Sequence, residues 1–277
     1  MGWKETDDKL IRRGELILDL KFLQNSKQEL KTMNKHKEGP HYRIANSHIE
    51  FLAAVRYLYQ MPYRQLEGFT RSLNRLVPAL PPADYSGIRK RILSLPVDPY
   101  RSLRDSAEAV TIAVDSTGIM VHKAGGWVER KHGKKSRYVK LHFAVRVDTH
   151  DVKALPSLVE GSMRSVRVAR VIGDGAYDSG RAIDSLEERG IEVVVKPRRN
   201  SRGDTPSPGR RRAVELVRGV GYEAWSRLTG YGRRWAVETA YSTFKRVFGE
   251  GCMAKTLGNI ARELAGKVAL YNMLVNM

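Results

Sequence analysis

Four short runs rich in β-branched residues, lying between Pro99 and Pro197, constrain the fold more than any other feature: "VTIAVDSTGIMVH", "RYVKLHFAVRVD", "VRVARVIGD" and "IEVVVKP". Each has the length and composition of a strand and ends at polar or Gly-containing sequence. Between the last two lies "DSGRAIDSLEERG", which reads as a helix with an Asp/Ser cap and a Gly stop. Strands interleaved with helical pattern predict an α/β chain.

Two of these runs carry an aspartate in an apolar setting, Asp115 in "TIAVDSTG" and Asp174 in "RVIGDGAYDS". A carboxylate in or at the tip of a buried strand is costly unless it is paired, hydrogen-bonded or bound to metal. For either one alone a turn cap is the plainer reading, and Asp174 between Gly173 and Gly175 suits a tight turn. Asp178 with Ser179 is better explained as the N-cap of the following helix than as a ligand.

The flanks are helical. Residues 1–46 read as a helical lead-in and linker, broken by "NKHKEGPHYR". Residues 47–99 predict two helices split at "MP", with Ile49, Leu52, Val55 and Leu58 or Tyr59 on one face and Leu66, Phe69, Leu73 and Leu76 on the other helix. A third short segment, "DYSGIRKRILSL", follows. Three short basic helices fit a helix-turn-helix DNA-binding or dimerisation domain and equally an ordinary helical bundle. Residues 100–277 form the remaining unit. Past the basic loop "KPRRNSRGDTPSPGRRR", helices are expected over 211–228, over "YGRRWAVETAYSTFK" (231–245), and over "GNIARELAGKVALYNMLVNM" with Ile260, Leu264, Val268 and Met273 or Leu274 in register.

Lys and Arg number 49 against 30 Asp and Glu, a formal charge of +19 and a pI near 10.1, which suits a polyanionic partner, nucleic acid first. No run approaches the roughly 18–20 apolar residues of a spanning helix, and the charged opening does not suit a signal peptide, so a soluble cytoplasmic protein without a membrane partner is expected. The lone Cys252 excludes an intrachain disulfide, and the seven histidines show no ligand spacing. Any metal is therefore expected on carboxylates.

Glu238 is a third acid of interest. On an ideal helix Tyr231, Arg234 and Lys245 fall within about 40° of it, one polar face beside the stripe Val237, Tyr241, Phe244 and Phe248. Singly, Glu238 reads as an i,i+4 partner of Arg234. Taken together, Asp, Asp and Glu at strand, strand and helix positions are hard-oxygen ligands of the kind that hold two Mg²⁺ ions for phosphoryl transfer.

"YGRRWAVETAYSTFK" is Tyr-x2-Arg-x3-Glu-x6-Lys, and it resembles the C-terminal signature of DDE transposases of prokaryotic insertion sequences, in the four/five superfamily. "AVDSTG" and "IGDGAYDS" resemble that family's first and second catalytic blocks, and the resemblance runs from about Ile49 to the C-terminus. It implies an RNase H-like mixed sheet flanked by helices, with Asp115, Asp174 and Glu238 as catalytic residues binding two Mg²⁺ or Mn²⁺ ions. It also implies cleavage at the terminal inverted repeats of an element, attack of the freed 3′-hydroxyl on target DNA, and a dimer or larger homo-oligomer on double-stranded DNA in the nucleoid. Tyr231, Arg234 and Lys245 would position the DNA. In the predicted hairpin "KAGGWVERKHGKKSRYVK", Trp127, Arg130, Lys131, Lys134, Lys135 and Arg137 would contact it, although a solvated basic turn explains the hairpin too.

The chain departs from that pattern at one place. Only 18 residues, 148–165, separate Val147 of the second run from Val166 of the third, too few for a strand, a helix and their loops. "THDVKALPSLVEG" resembles the family's pre-helix and helix segment, leaving the third strand shortened or missing, as in an internally deleted copy; alternatively "DVKALPSLV" is that strand and the helix is gone. Either loss is expected to leave ladder groups unpaired beside the strand of Asp115. Three activities follow as alternatives: an active transposase, a catalytically impaired or domesticated DNA-binding derivative, and a metal-dependent nuclease that cuts without joining.

Overall fold

The computed structural model describes residues 7–8, 11–12, 14–15, 22–98, 110–121, 137–146, 151–152 and 167–275. Trp127, Arg130, Lys131, Lys134 and Lys135, and most of the 148–165 segment, lie outside them.

Helices come first: α1 (Phe22–Asn34), α2 (Asn46–Leu58), α3 (Tyr63–Leu76) and α4 (Tyr85–Ser94). The start of α2 is capped from outside, since Glu29 of α1 accepts from the Ser47 amide at 3.1 Å, a carboxylate at the positive end of a helix. Asp84 caps α4 by accepting from the amides of Ser86 and Gly87, both at 2.9 Å. The expected faces hold at Ile49, Leu52, Val55 and Leu66, all buried, but Leu76 is 81% exposed at the frayed end of α3 and Tyr59 is exposed too.

The strands are β1 (Val110–Val121), β2 (Arg137–Arg146), β3 (Asp151–Val152), β4 (Val168–Gly173), β5 (Glu192–Val195) and β6 (Gly251–Cys252). They form one mixed sheet in the order β3-β2-β1-β4-β5, with β6 pairing the far end of β1. β2 is antiparallel to β1 and to β3, while β4 and β5 run parallel to β1. This arrangement is consistent with an RNase H-like transposase fold. Among the described residues, Asp151 and Val152 of the third strand pair Arg146 and Val145 of β2.

After β4 come a 3-10 turn (Gly175–Tyr177), α5 (Gly180–Glu187), then α6 (Pro208–Val220), α7 (Tyr222–Leu228), a second 3-10 turn (Tyr231–Arg234), α8 (Trp235–Phe248) and α9 (Leu257–Val275). The single helix expected over 211–228 is two helices, because Gly221 at φ +80° takes a conformation no L side chain accepts readily. The expected helix over 231–245 begins only at Trp235.

Alternation along the strands sorts the core onto two faces. Ala113, Ile172 and Val194 point into the larger cluster, which α8 fills with Val237, Phe244 and Phe248 and α9 with Ile260 and Leu264. Ile112, Val114 and Val171 point the other way, onto Leu186 of α5 and Ile191. Ile49, Leu52, Leu66, Ile88 and Ile92 of α2–α4 belong to the larger cluster, so the apolar interior runs continuously past residue 99. No helix among the described residues is long and apolar enough to cross a membrane.

Candidate active site

Along one edge β1 pairs with β4 only as far as Val114↔Gly173, and with β6 only from Met120↔Gly251. Asp115 is the first residue of the interval between. Asp174 is the first residue after β4 and is still extended (φ −78°, ψ 177°), so the two aspartates stand side by side on adjacent parallel strands, about 5 Å apart along the backbone. Asp115 follows Ala113, and Asp174 follows Ile172, on the face packed by α8. The parallel register therefore brings together two acids that are distant in sequence. The end of parallel strands where neighbours diverge is the usual place for a site in an α/β sheet.

Glu238 comes from the first turn of α8, whose adjoining stripe (Val237, Tyr241, Phe244, Phe248) is buried against that same face. The residue joining the elements is Arg234: Nη1 donates to Asp115 Oδ2 at 3.2 Å, and Nη2 donates to Glu238 Oε1. Asp115 and Arg234 are each about one-fifth exposed, whereas Glu238 is 57% exposed. Burial alone would lower the Arg234 pKa, but Tyr231, Glu238 and Asp115 more than offset it and hold the guanidinium above its usual range. Asp174 Oδ1 accepts from the Ala176 amide at 2.9 Å, the turn cap expected of it, while Oδ2 has no hydrogen-bond partner among the described residues.

Tyr231 does not share a polar face with Glu238. It is buried, with its ring 4.9 Å from that of Trp225, because residues 231–234 turn by about 120° per residue in a 3-10 helix instead of 100°. Burial pushes its hydroxyl up to about 12; the Arg234 charge opposes the shift, and Tyr222 and Asp174 add to it. The phenol is thus neutral and packs the base of the site. Lys245 lies two turns along α8 from Glu238, about 10 Å away, and is half-buried without an ion-pair partner among the described residues. Arg137 opens β2 opposite Val121.

Asp178 corrects the expectation of a helix cap. Ser179 holds the cap position of α5, and the Asp178 carboxylate turns away from it. It accepts from Arg210 Nε at 2.6 Å, Arg210 Nη2 at 3.0 Å, the Arg198 amide at 3.0 Å and Ser201 Oγ at 2.9 Å. Burial would raise its pKa, but Arg210, the Arg198 amide and Ser201 hold it below the usual carboxylate range. Sequence reasoning missed this cluster, and it missed Lys196, which follows β5 as Asp174 follows β4 and lies 4.5 Å from the ring of Tyr222.

Among the described residues no three His, Cys, Asp or Glu side chains stand close enough to share one metal ion; the cation between Asp115 and Glu238 is the Arg234 guanidinium. The donor set still fits Mg²⁺ or Mn²⁺. All three acids offer hard oxygens, two of them side by side, Asp115 within β1 and Asp174 just past β4, and the exposed Glu238 can rotate off Arg234 without disturbing the core.

Two family models, both described as a transposase DDE domain, match the chain, one over residues 11–124 and the other over residues 106–273, more than half its length.

Proposed function

The chain belongs to the DDE transposase family, and from that premise we propose that it cleaves DNA at the ends of an element and joins the freed 3′-hydroxyl to target DNA, with Asp115, Asp174 and Glu238 as the catalytic acids. The family acts on DNA and is generally dependent on divalent metal. What carries the reading is the shared guanidinium: Arg234 touches both Asp115 and Glu238, residues from a strand and a helix 123 positions apart, at the point where β4 delivers Asp174.

Asp115 and Asp174 would hold one divalent ion between β1 and the end of β4, and Glu238 would complete the set from α8. When bound, two such ions lower the pKa of an attacking water or 3′-hydroxyl and stabilise the leaving oxygen. Arg234, once off the acids, is placed to fork onto a non-bridging phosphate pair. Tyr231 sets its reach, since the buried ring fixes the 3-10 turn from which Arg234 projects. Lys245 would hold flanking phosphate by its charge, as would Arg137 and, in the basic 122–136 connection, Arg130, Lys131, Lys134 and Lys135, with Trp127 stacking. Residues 47–99 would supply end recognition or dimerisation, and pairing two DNA ends calls for a homo-oligomer.

The test is nicking of DNA bearing the inverted repeats that flank the gene, with Mg²⁺ or Mn²⁺. Asp115→Ala is expected to abolish both nicking and strand-transfer products; nicking at the parental rate would remove Asp115 from the catalytic set. A second reading, DNA binding without catalysis, is favoured by the Arg234 guanidinium standing between Asp115 and Glu238, where a metal ion would be needed. It expects duplex binding by the parent with no metal-dependent cleavage.

A further inference from the structure

β4 and β5 end side by side next to Asp115 of β1, and β5 delivers a cation. β5 pairs with β4 as far as Gly173↔Val195, so Lys196 stands beside Asp174 as Asp174 stands beside Asp115, and the Lys196 amide donates to the Gly173 carbonyl at 3.4 Å. From Lys196 the chain runs as a strap to Arg212. It carries seven cations, Lys196, Arg198, Arg199, Arg202, Arg210, Arg211 and Arg212, against the single acid Asp204.

The strap is fastened to the residues that follow Asp174. Asp178 gathers the Arg198 amide, Ser201 Oγ and the Arg210 fork at 2.6–3.0 Å, and Arg210 Nη2 also donates to Ser201 Oγ at 2.9 Å. Arg198 Nε donates to the Gly175 carbonyl at 3.1 Å. A Cβ on Gly175 would come within 3.3 Å of the Lys196 carbonyl oxygen, so the two backbones are in contact there. A buried carboxylate with this many donors fixes a loop that its composition alone leaves free.

The fastening uses Arg210 and leaves other cations outward. Arg199 and Arg202 are exposed and have no hydrogen-bond or ion-pair partner among the described residues. Arg198 and Lys196 are exposed at the start of the strap, and Arg211 at its end. So many like charges on one short segment are self-repelling unless a polyanion lies along them.

We propose that the 196–212 strap is a docking surface for the phosphodiester backbone of the DNA strand entering beside Asp174, and that Asp178 is its positioning residue. The proposal rests on the DNA-cleaving function argued above and adds to it a surface and a partner chemistry. Arg199 and Arg202 would contact phosphates directly; Asp178 would act only by holding the strap against the Asp174 turn.

The test is fluorescence anisotropy of a labelled random-sequence duplex over a salt series without divalent metal, with thermal melting as the check on folding. Arg199→Ala/Arg202→Ala is expected to lower the salt slope by roughly 0.9 per contact, about 1.8 in all, and to weaken binding at 0.1 M salt by roughly eightfold per contact. Asp178→Asn removes a negative charge, so charge alone would tighten binding; the proposal expects it to weaken, at an unchanged protein concentration of folded chain. Parental slope and affinity in the arginine pair, or tighter binding by a folded Asp178→Asn, overturns the proposal. If Asp178→Asn does not fold, the exposed arginine pair decides alone. Unchanged binding by the arginine pair in a parent that still nicks its cognate ends removes the strap and leaves the catalytic reading standing. A parent that neither binds duplex nor nicks removes both.

Discussion

Arg234 occupies the position that a divalent cation would need, and Arg234→Gln measures the competition. The guanidinium is 3.2 Å from Asp115 and also bonds Glu238. Unit charges about 4 Å apart attract by roughly 4 kcal/mol at an effective dielectric constant near 20. Solvent around the 57% exposed Glu238 screens that contact heavily, which brings the two contacts together to about 1–2 kcal/mol. A metal ion that takes both carboxylates must give up that amount, so its affinity for the parent is reduced roughly 5- to 30-fold. Calorimetric titration of the DNA-free protein with Mn²⁺ is expected to show Arg234→Gln binding tighter by that factor. Arg262→Gln, which removes a charge on exposed α9 surface, is expected to bind as the parent does. Equal or weaker Mn²⁺ binding by Arg234→Gln would refute the reasoning, since it would mean that Arg234 supports the acids as metal ligands instead of standing in for the metal.

Two predictions concern stability. Glu263 and Lys267 form a buried pair at 3.0 Å that ties β6 to α9, Glu263 accepting from the amides of Met253 and Ala254 and Lys267 donating to the Gly251 carbonyl; Lys267→Ala is expected to cost about 3–5 kcal/mol in denaturant unfolding. His48 lies between Phe22 and Phe51, and burial lowers its pKa to about 4, so the unfolded chain binds a proton between pH 6.5 and 4 that the folded chain does not. Stability is expected to fall over that window by up to about 3 kcal/mol, and His48→Phe to flatten the dependence.

Local pattern made the strands legible because β-branched runs with turn signals at both ends admit few other conformations. The same reasoning failed where the deciding partner is far away in sequence. Asp178 followed by Ser179 has every mark of a cap, and only the arrival of Arg210 from 32 residues downstream turns its carboxylate elsewhere. Glu263 and Lys267 look like an ordinary solvated i,i+4 pair, and only β6 laid across them makes them interior. At Tyr231 the error was one of period: a wheel drawn at 100° per residue places the ring beside Glu238, whereas the 3-10 turn after Gly230 drops it onto Trp225. Asp115, Asp174 and Glu238 were legible as residue types and by family resemblance. That Asp115 and Asp174 stand side by side was not, because it depends on the β1–β4 register.

The short 148–165 segment bears on the site differently from what the sequence suggests. Asp151 and Val152 are the described residues of β3, and their neighbour is β2, not β1. β2 runs beside β1 from Ile112↔Arg146 to Val121↔Arg137, and pairs Asp115 with Phe143. The ladder groups that a longer β3 would satisfy therefore belong to the outer edge of β2, one strand removed from Asp115. On its other side Asp115 adjoins the last β4 pair, Val114↔Gly173, which does not involve β3 at all. Any loss of β3 residues would thus weaken the sheet at its rim, where solvent can replace the missing partners, and would leave the backbone positions of Asp115 and Asp174 set by β2, β4 and β5.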